Sequence, residues 1–224
     1  MSISKILNSL LKPLGCKVVR LEGEQQVHNF DPLERNDVET LEKLWGDPEF
    51  RAKYLSPTRQ RLYEVVLAEL QGLEVYGPAC KLLDVGCGPG FFPRLIMDRG
   101  FEGQVFGCDF SEQAISLSSL LIPEGEFFKQ DIYEPIKEKY DLIVCMETLE
   151  HLLHPDRAIL NLADAAPTVV LTVPEGRKDS FRGHLNFWSK ESFEVLLNSV
   201  LPNKTVRVME VANEKNLLAK ITEK

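Results

Sequence analysis

From residue 81 onward, short apolar runs alternate with longer stretches whose apolar positions recur at helical spacing. The apolar runs Lys81–Val85, Gln104–Asp109, Gly125–Lys129, Tyr140–Met146 and Thr168–Val173 read as strands. The intervening segments Phe91–Arg99, Ser111–Leu120 and Asp156–Ala165 read as helices, with Gly100 as a stop and Ser111 as an N-cap. Ser189 caps a further helix to Leu201. Residues 204–211 and 216–222, separated by Asn213-Glu214-Lys215, read as a closing antiparallel hairpin. Strand–helix alternation of this kind predicts right-handed βαβ units and a doubly wound, mostly parallel α/β sheet of seven strands.

The first part of the chain has a different rhythm. Ile3, Ile6, Leu7, Leu10 and Leu11 share a helical face that Pro13 and Gly15 end, Val18–Leu21 reads as a short strand, and residues 22–36 read as a loop. Asp37 then caps a helix carrying Leu41, Leu44 and Trp45. A short helix over Phe50–Tyr54 follows, and Ser56-Pro57 opens a third with Leu62, Val65, Val66, Leu70 and Leu73 on its apolar face. The expected division is an N-terminal helical extension or lid over 1–78 and a catalytic-type domain over 79–224. The early helices would cover the sheet or roof a cavity, with Trp45, Phe50, Tyr54 and Tyr63 as candidate lining aromatics.

Composition narrows the setting. A net charge of −8 and a pI near 5.2 supply no basic field for nucleic acid or an anionic membrane, which argues against a polynucleotide partner. The five cysteines, Cys16, Cys80, Cys87, Cys108 and Cys145, include no Cys-x-x-Cys pair and read as core thiols in a reducing, cytoplasmic compartment. No apolar run approaches the roughly 18 residues of a membrane span, and the N-terminus lacks a secretory signal.

Chemistry concentrates where the first strand ends, at Asp84-Val85-Gly86-Cys87-Gly88-Pro89-Gly90. Alternating glycines let a chain turn tightly beneath a ligand, and the helix that follows aims its free N–H groups at the same place. The dinucleotide fingerprint would need a third glycine where Phe91 stands, which disfavours a nicotinamide dehydrogenase. Asp84 would repel a pyrophosphate and suits a ligand with a positive end. Asp109, at the second strand's end, can accept both hydrogen bonds of a ribose diol.

Asp-x-Gly-x-Gly-x-Gly resembles motif I of the class I S-adenosylmethionine-dependent methyltransferases. The resemblance extends through Asp109-Phe110, Asp131-Ile132 and the fourth strand, about residues 80–155 in the right order. It implies S-adenosylmethionine as cofactor and S-adenosylhomocysteine as product. It further implies a donor site of Asp84, Gly86, Cys87, Gly88, Gly90, Asp109, Phe110, Asp131, Ile132, Met146 and Glu147. In that arrangement Asp84 lies near the methionyl ammonium, Asp109 on the ribose, Phe110 beside the adenine and Asp131 on its amino group. The seven-stranded sheet with its terminal hairpin also matches the family.

The expected function is methyl transfer to a small-molecule acceptor, at oxygen, by in-line displacement, with His151, Glu147 and His184 as candidate catalytic residues. His151 is the first candidate base, because imidazole titrates near neutrality; His154 ranks below it. Glu147, Glu150 and His151 at i, i+3 and i+4 would share a helical face, and with His184 they resemble the Glu-x-x-Glu-His segment of ubiquinone-pathway O-methyltransferases and of metal-dependent small-RNA 3′-end 2′-O-methyltransferases. The reading carried forward assigns no metal. Metal-dependent RNA methylation and a non-catalytic donor-binding module stand as alternatives. Arg177, Lys178 and Arg182, after the fifth strand, are candidate contacts for an anionic acceptor or else a solvated basic loop; Trp188 stands near the acceptor or anchors the next helix.

Overall fold

The computed structural model describes residues 37–179, 181, 183–213 and 215–224. The expected helix over Ile3–Leu11, the strand Val18–Leu21 and the loop to residue 36 lie outside the described residues, as do Cys16, Arg182 and Glu214.

Seven strands form one sheet: β1 (Lys81–Val85), β2 (Gln104–Asp109), β3 (Glu126–Lys129), β4 (Leu142–Met146), β5 (Thr168–Pro174), β6 (Lys204–Val211) and β7 (Asn216–Glu223). Their order is β3-β2-β1-β4-β5-β7-β6, parallel through β5, with β7 antiparallel to both neighbours. The terminal hairpin therefore inserts β7 beside β5 and leaves β6 at the edge. The chain reverses direction across the sheet between β1 and β4, the point at which open α/β sheets bind ligands beyond their carboxyl ends.

The helices are α1 (Val38–Gly46), α2 (Pro48–Lys53), α3 (Pro57–Gln71), α4 (Phe91–Asp98), α5 (Glu112–Leu121), α6 (Pro155–Ala165) and α7 (Lys190–Val200). Strand alternation divides the core between the two faces. Leu83, Val85, Ile143 and Cys145 pack with α6 and α7, whereas Leu82, Leu142 and Val144 pack with α3 and α4. In α3, Leu62, Val66, Leu67 and Leu70 face that second core. Burying each such side chain contributes about 1.5–3 kcal/mol. The third early helix thus covers the sheet.

α1 and α2 instead lie over the carboxyl ends of the strands. Asp37 caps α1 by accepting the Thr40 N–H at 2.7 Å. The Glu42 carboxylate, one turn further on, accepts the N–H groups of Glu112 (2.6 Å) and Gln113 (2.8 Å) at the start of α5. Trp45, Phe50 and Tyr54 pack as an aromatic cluster, with centroids 4.9–5.6 Å apart.

Element boundaries differ from expectation by small, explicable amounts. β4 begins at Leu142; just before it, Asp141 donates its N–H to the Lys81 carbonyl (3.0 Å) and its carboxylate accepts the Lys81 N–H (2.8 Å). The Glu147–His151 segment forms no α-helical face. Glu147 is left-handed (φ 51°), and only Leu149–His151 makes a single 3₁₀ turn.

Candidate active site

One cavity of about 1030 Å³ opens at the carboxyl ends of β1, β2 and β4 beneath α1 and α2. It gathers Asp84, Gly86, Cys87, Gly88, Asp109, Phe110, Asp131, Ile132, Met146, Glu147, His151 and His184 on its walls. Those twelve come from five segments spread over a hundred residues of chain. Gly90 lies just below, as the N-cap of α4.

The glycine loop is shaped by backbone and packing together. Gly86, Gly88 and Gly90 all have positive φ (75°, 52° and 82°). A β-carbon at Gly86 would meet Thr148 Oγ1 at 2.5 Å, and one at Gly88 would meet the Trp45 ring at 3.2 Å. The loop is tied to β2 by Gly86 and Cys87 N–H bonds to the Cys108 carbonyl (2.8 and 3.0 Å). Asp109 adds to this frame: its carboxylate accepts the Gly88 N–H and the Ser111 N–H, each at 3.0 Å. It therefore supports the loop and still presents free lone pairs to the cavity.

Asp84 is buried, 3% exposed, and no donor among the described residues meets its carboxylate. Burial, reinforced by Asp109, pushes its carboxyl up to about 8. A carboxylate left in this state is a receptor for a cation. The same cavity is lined by Arg59, from the first turn of α3, which sequence reading did not single out. Its guanidinium is 3.5 Å from Glu147 Oε2 and 5.2 Å from the Tyr54 ring centre. One arginine among the several charged residues of this helix carries no local signal of this role.

Glu147 takes a different place from the one a shared helical face would give it. Its Oε1 accepts from Thr172 Oγ1 (3.1 Å) and its Oε2 from Asn216 Nδ2 (2.9 Å), beside Arg59. Burial raises its carboxyl even so. Every strong interaction available to this side chain is already structural.

Glu150 has the opposite character. It is 1% exposed, and neither carboxylate oxygen has a hydrogen-bond partner among the described residues. Burial, then Glu147, drives its carboxyl well above the usual range. His151 Nε2 is 3.9 Å and His184 Nε2 3.8 Å from Glu150 Oε1. The rings meet edge to face at 4.7 Å. Burial, then His184, pulls the His151 imidazole down to about 4, so it is neutral near pH 7. One ligand atom from each of Glu150, His151 and His184 lies within 4.8 Å of the others. One carboxylate and two imidazoles, with the carboxylate orphaned in the interior, fit a divalent cation.

The wall behind this cluster is the segment after β5. Asn186 Nδ2 donates to the Leu152 carbonyl at 2.7 Å, and the Leu185 and Asn186 N–H groups both meet the Glu150 carbonyl (2.8 and 3.0 Å). Asp179 Oδ2 lies 2.5 Å from His184 Nδ1. Neither Asn186 nor Asp179 stood out in the sequence, because irregular loops carry no periodicity.

Four other candidates fall away from the cavity. Arg177 pairs with Glu175 and Glu210, and Lys178 with Glu210, so both turn toward β6. Trp188 is buried against Phe193 with centroids 5.4 Å apart, and anchors α7. His154 is exposed at the start of α6, its N–H bonded to the Tyr133 hydroxyl.

Comparison with known proteins gives the family and the fold. A family model described as a methyltransferase domain matches residues 48–200. A ubiquinone biosynthesis O-methyltransferase of Leptothrix cholodnii is 31% identical over 140 residues, covering 58% of this chain and 56% of that protein. One of Idiomarina loihiensis is 30% identical over 155 residues, covering 65% and 60%. The match thus spans a little over half the length of these relatives. Among solved structures, DhpI in complex with SAH superposes with a TM-score of 0.69 at 15% identity, covering 86% of this chain and 97% of that one. A magnesium protoporphyrin IX methyltransferase from Synechocystis PCC 6803 with bound SAM gives 0.61 at 16% identity, covering 100% and 98%. At these identities the structural likeness establishes the shared fold.

Proposed function

The chain belongs to the methyltransferase-domain family, and from that premise we propose that it is an S-adenosylmethionine-dependent enzyme that methylates a hydroxyl of a small-molecule acceptor. The observation that carries this is Asp84: a buried carboxylate with no donor among the described residues, lining the same cavity as Arg59. The methionyl end of the donor is a zwitterion. Its ammonium suits Asp84 and its carboxylate suits Arg59. Asp109 takes the ribose diol, and Phe110, Asp131 and the Ile132 N–H serve the adenine.

In the reaction the acceptor oxygen attacks the donor's methyl carbon while the S–CH₃ bond breaks. The products are a methyl ether and S-adenosylhomocysteine, and the hydroxyl proton passes to a base. Because the sulfonium already activates the methyl group, the protein's main contribution is alignment. His151 and His184 present Nε2 to the same space and are the bases at hand. A hydroxyl acceptor agrees with the relatives' names as O-methyltransferases.

Glu150, His151 and His184 favour a cation in this site. A divalent ion bound there would lower the pKa of an acceptor hydroxyl and fix its position. Glu150 would then gain the partner it lacks, and both histidines would act as ligands, leaving proton removal to solvent. An RNA acceptor is disfavoured, because carboxylates outnumber cations among the cavity's lining residues and would repel a phosphate backbone.

Residues 38–53 serve in this reading as the lid. The reading also places the protein in the cytoplasm: Cys80, Cys87, Cys108 and Cys145 are free thiols, and no helix among the described residues is long and apolar enough to cross a membrane.

Isothermal calorimetry with S-adenosylhomocysteine, then transfer of a labelled methyl group to a panel of phenols, tests the proposal. Micromolar binding and a labelled ether support it; no binding of the nucleoside product refutes it. Treatment with a chelator tests the cation separately.

A further inference from the structure

Both imidazoles of the cluster take their outer contacts from one short stretch, residues 179–183. We propose that Asp179 is a positioning residue: it holds His184 as the Nδ1–H tautomer and so keeps the Nε2 lone pair aimed at Glu150. The proposal deepens the cation reading above and rests on it for its role.

The geometry is specific. His184 Nδ1 stands 2.5 Å from Asp179 Oδ2. An ionised carboxylate can only accept, so the proton of that bond sits on Nδ1. A neutral imidazole carrying its proton there has a bare Nε2, and that nitrogen faces Glu150 at 3.8 Å. Asp179 is itself held: its Oδ1 accepts the Phe181 N–H at 2.9 Å, and its own N–H meets the Glu175 carbonyl at 3.0 Å. Its side chain is 8% exposed, which limits competition from water.

His151 is oriented differently, with Nδ1 3.3 Å from the Gly183 carbonyl. One histidine is therefore backed by a charge and the other by a neutral dipole. A carboxylate behind an imidazole raises its basicity and locks its ring, and loss of such a partner typically costs 10–100-fold in metal affinity. The geometry makes His184 the stronger ligand of the two, with Asp179 acting only through it.

Long-range proton–nitrogen NMR on the full, metal-free chain reads the tautomer directly. The parent is expected to show His184 protonated at Nδ1 and bare at Nε2, and Asp179→Asn to show a mixture. A parent protonated at Nε2 overturns the proposal. Cobalt(II) titration, followed by its visible bands, reads the consequence. Asp179→Asn is expected to bind about 10–100-fold more weakly, and Asp179→Glu to recover part of the loss. S-adenosylhomocysteine affinity should be unchanged in both variants, which certifies their fold. Equal cobalt affinity in parent and Asp179→Asn overturns the positioning role. A parent with the expected tautomer that takes up no cobalt supports Asp179 as the orienting group and overturns the cation reading alone.

Discussion

Arg59 and Glu147 pair on the cavity wall at 3.5 Å, joining the first turn of α3 to the end of β4. The contact has two sides with different dependence on the ion pair. Glu147 keeps Thr172 and Asn216 when the arginine is gone, whereas the cavity loses a cation from its lining. Arg59→Ala is therefore expected to leave the protein folded and to weaken S-adenosylhomocysteine binding by about 10–100-fold, the worth of a charged hydrogen bond of about 1.5–3 kcal/mol. Calorimetry with the product and with a des-carboxy analogue separates the cases. If Arg59→Ala discriminates equally between the two ligands as the parent does, the carboxylate assignment is wrong.

Gly88 is constrained twice, by φ of 52° and by the Trp45 ring 3.2 Å from its missing β-carbon. Left-handed backbone costs an L-residue about 1–2 kcal/mol. Gly88→Ala should thus lower thermal stability modestly and donor affinity at least tenfold, because the indole must move from its seat over the loop. Parent-like affinity in a folded Gly88→Ala protein would show that the loop tolerates a side chain.

The chain has two tryptophans, and they occupy different environments. Trp45 lines the cavity, whereas Trp188 lies in the core against Phe193. Donor or product binding should change the emission of the parent and of Trp188→Phe alike. Trp45→Phe should lose the response. A response that survives in Trp45→Phe places the ligand elsewhere.

Asp84 makes both stability and binding depend on pH. Its folded carboxyl is pushed up to about 8 from an ordinary value of 3.8. Between these limits the folded protein holds a proton that the unfolded chain has released. Stability must then fall as pH rises from about 4 to about 8, at up to about 1.36 kcal/mol per pH unit from this group. Asp84→Asn should flatten that part of the profile in urea titrations of the ligand-free protein. The donor's ammonium needs the ionised form, so binding near pH 6.5 should release close to one proton. Calorimetry in buffers of differing ionisation heat measures this, and zero release removes Asp84 as the ammonium's partner.

Legibility in the sequence followed the range of the interactions. Strands such as Leu82–Val85 announce themselves because a buried parallel strand is apolar on both faces, and the glycine spacing announces itself because left-handed residues are chemically restricted. Asp109 was readable from its place at a strand end. Its second task, holding the Gly88 N–H, was not, since that requires knowing that residues 21 apart lie side by side. Glu147 and Glu150 look equivalent in the chain. A single left-handed residue sends one carboxylate to three partners and leaves the other with no hydrogen bond among the described residues. Arg59 and Asp179 were silent for the same reason: their meaning lies wholly in what packs against them.

The Glu42 carboxylate seated on the first two N–H groups of α5 ties the roof to the helix that follows Asp109. In kinetic terms it is a bolt. An anion on exposed N–H groups is held less firmly as salt screens it, so the grip of α1 on α5 loosens as ionic strength rises.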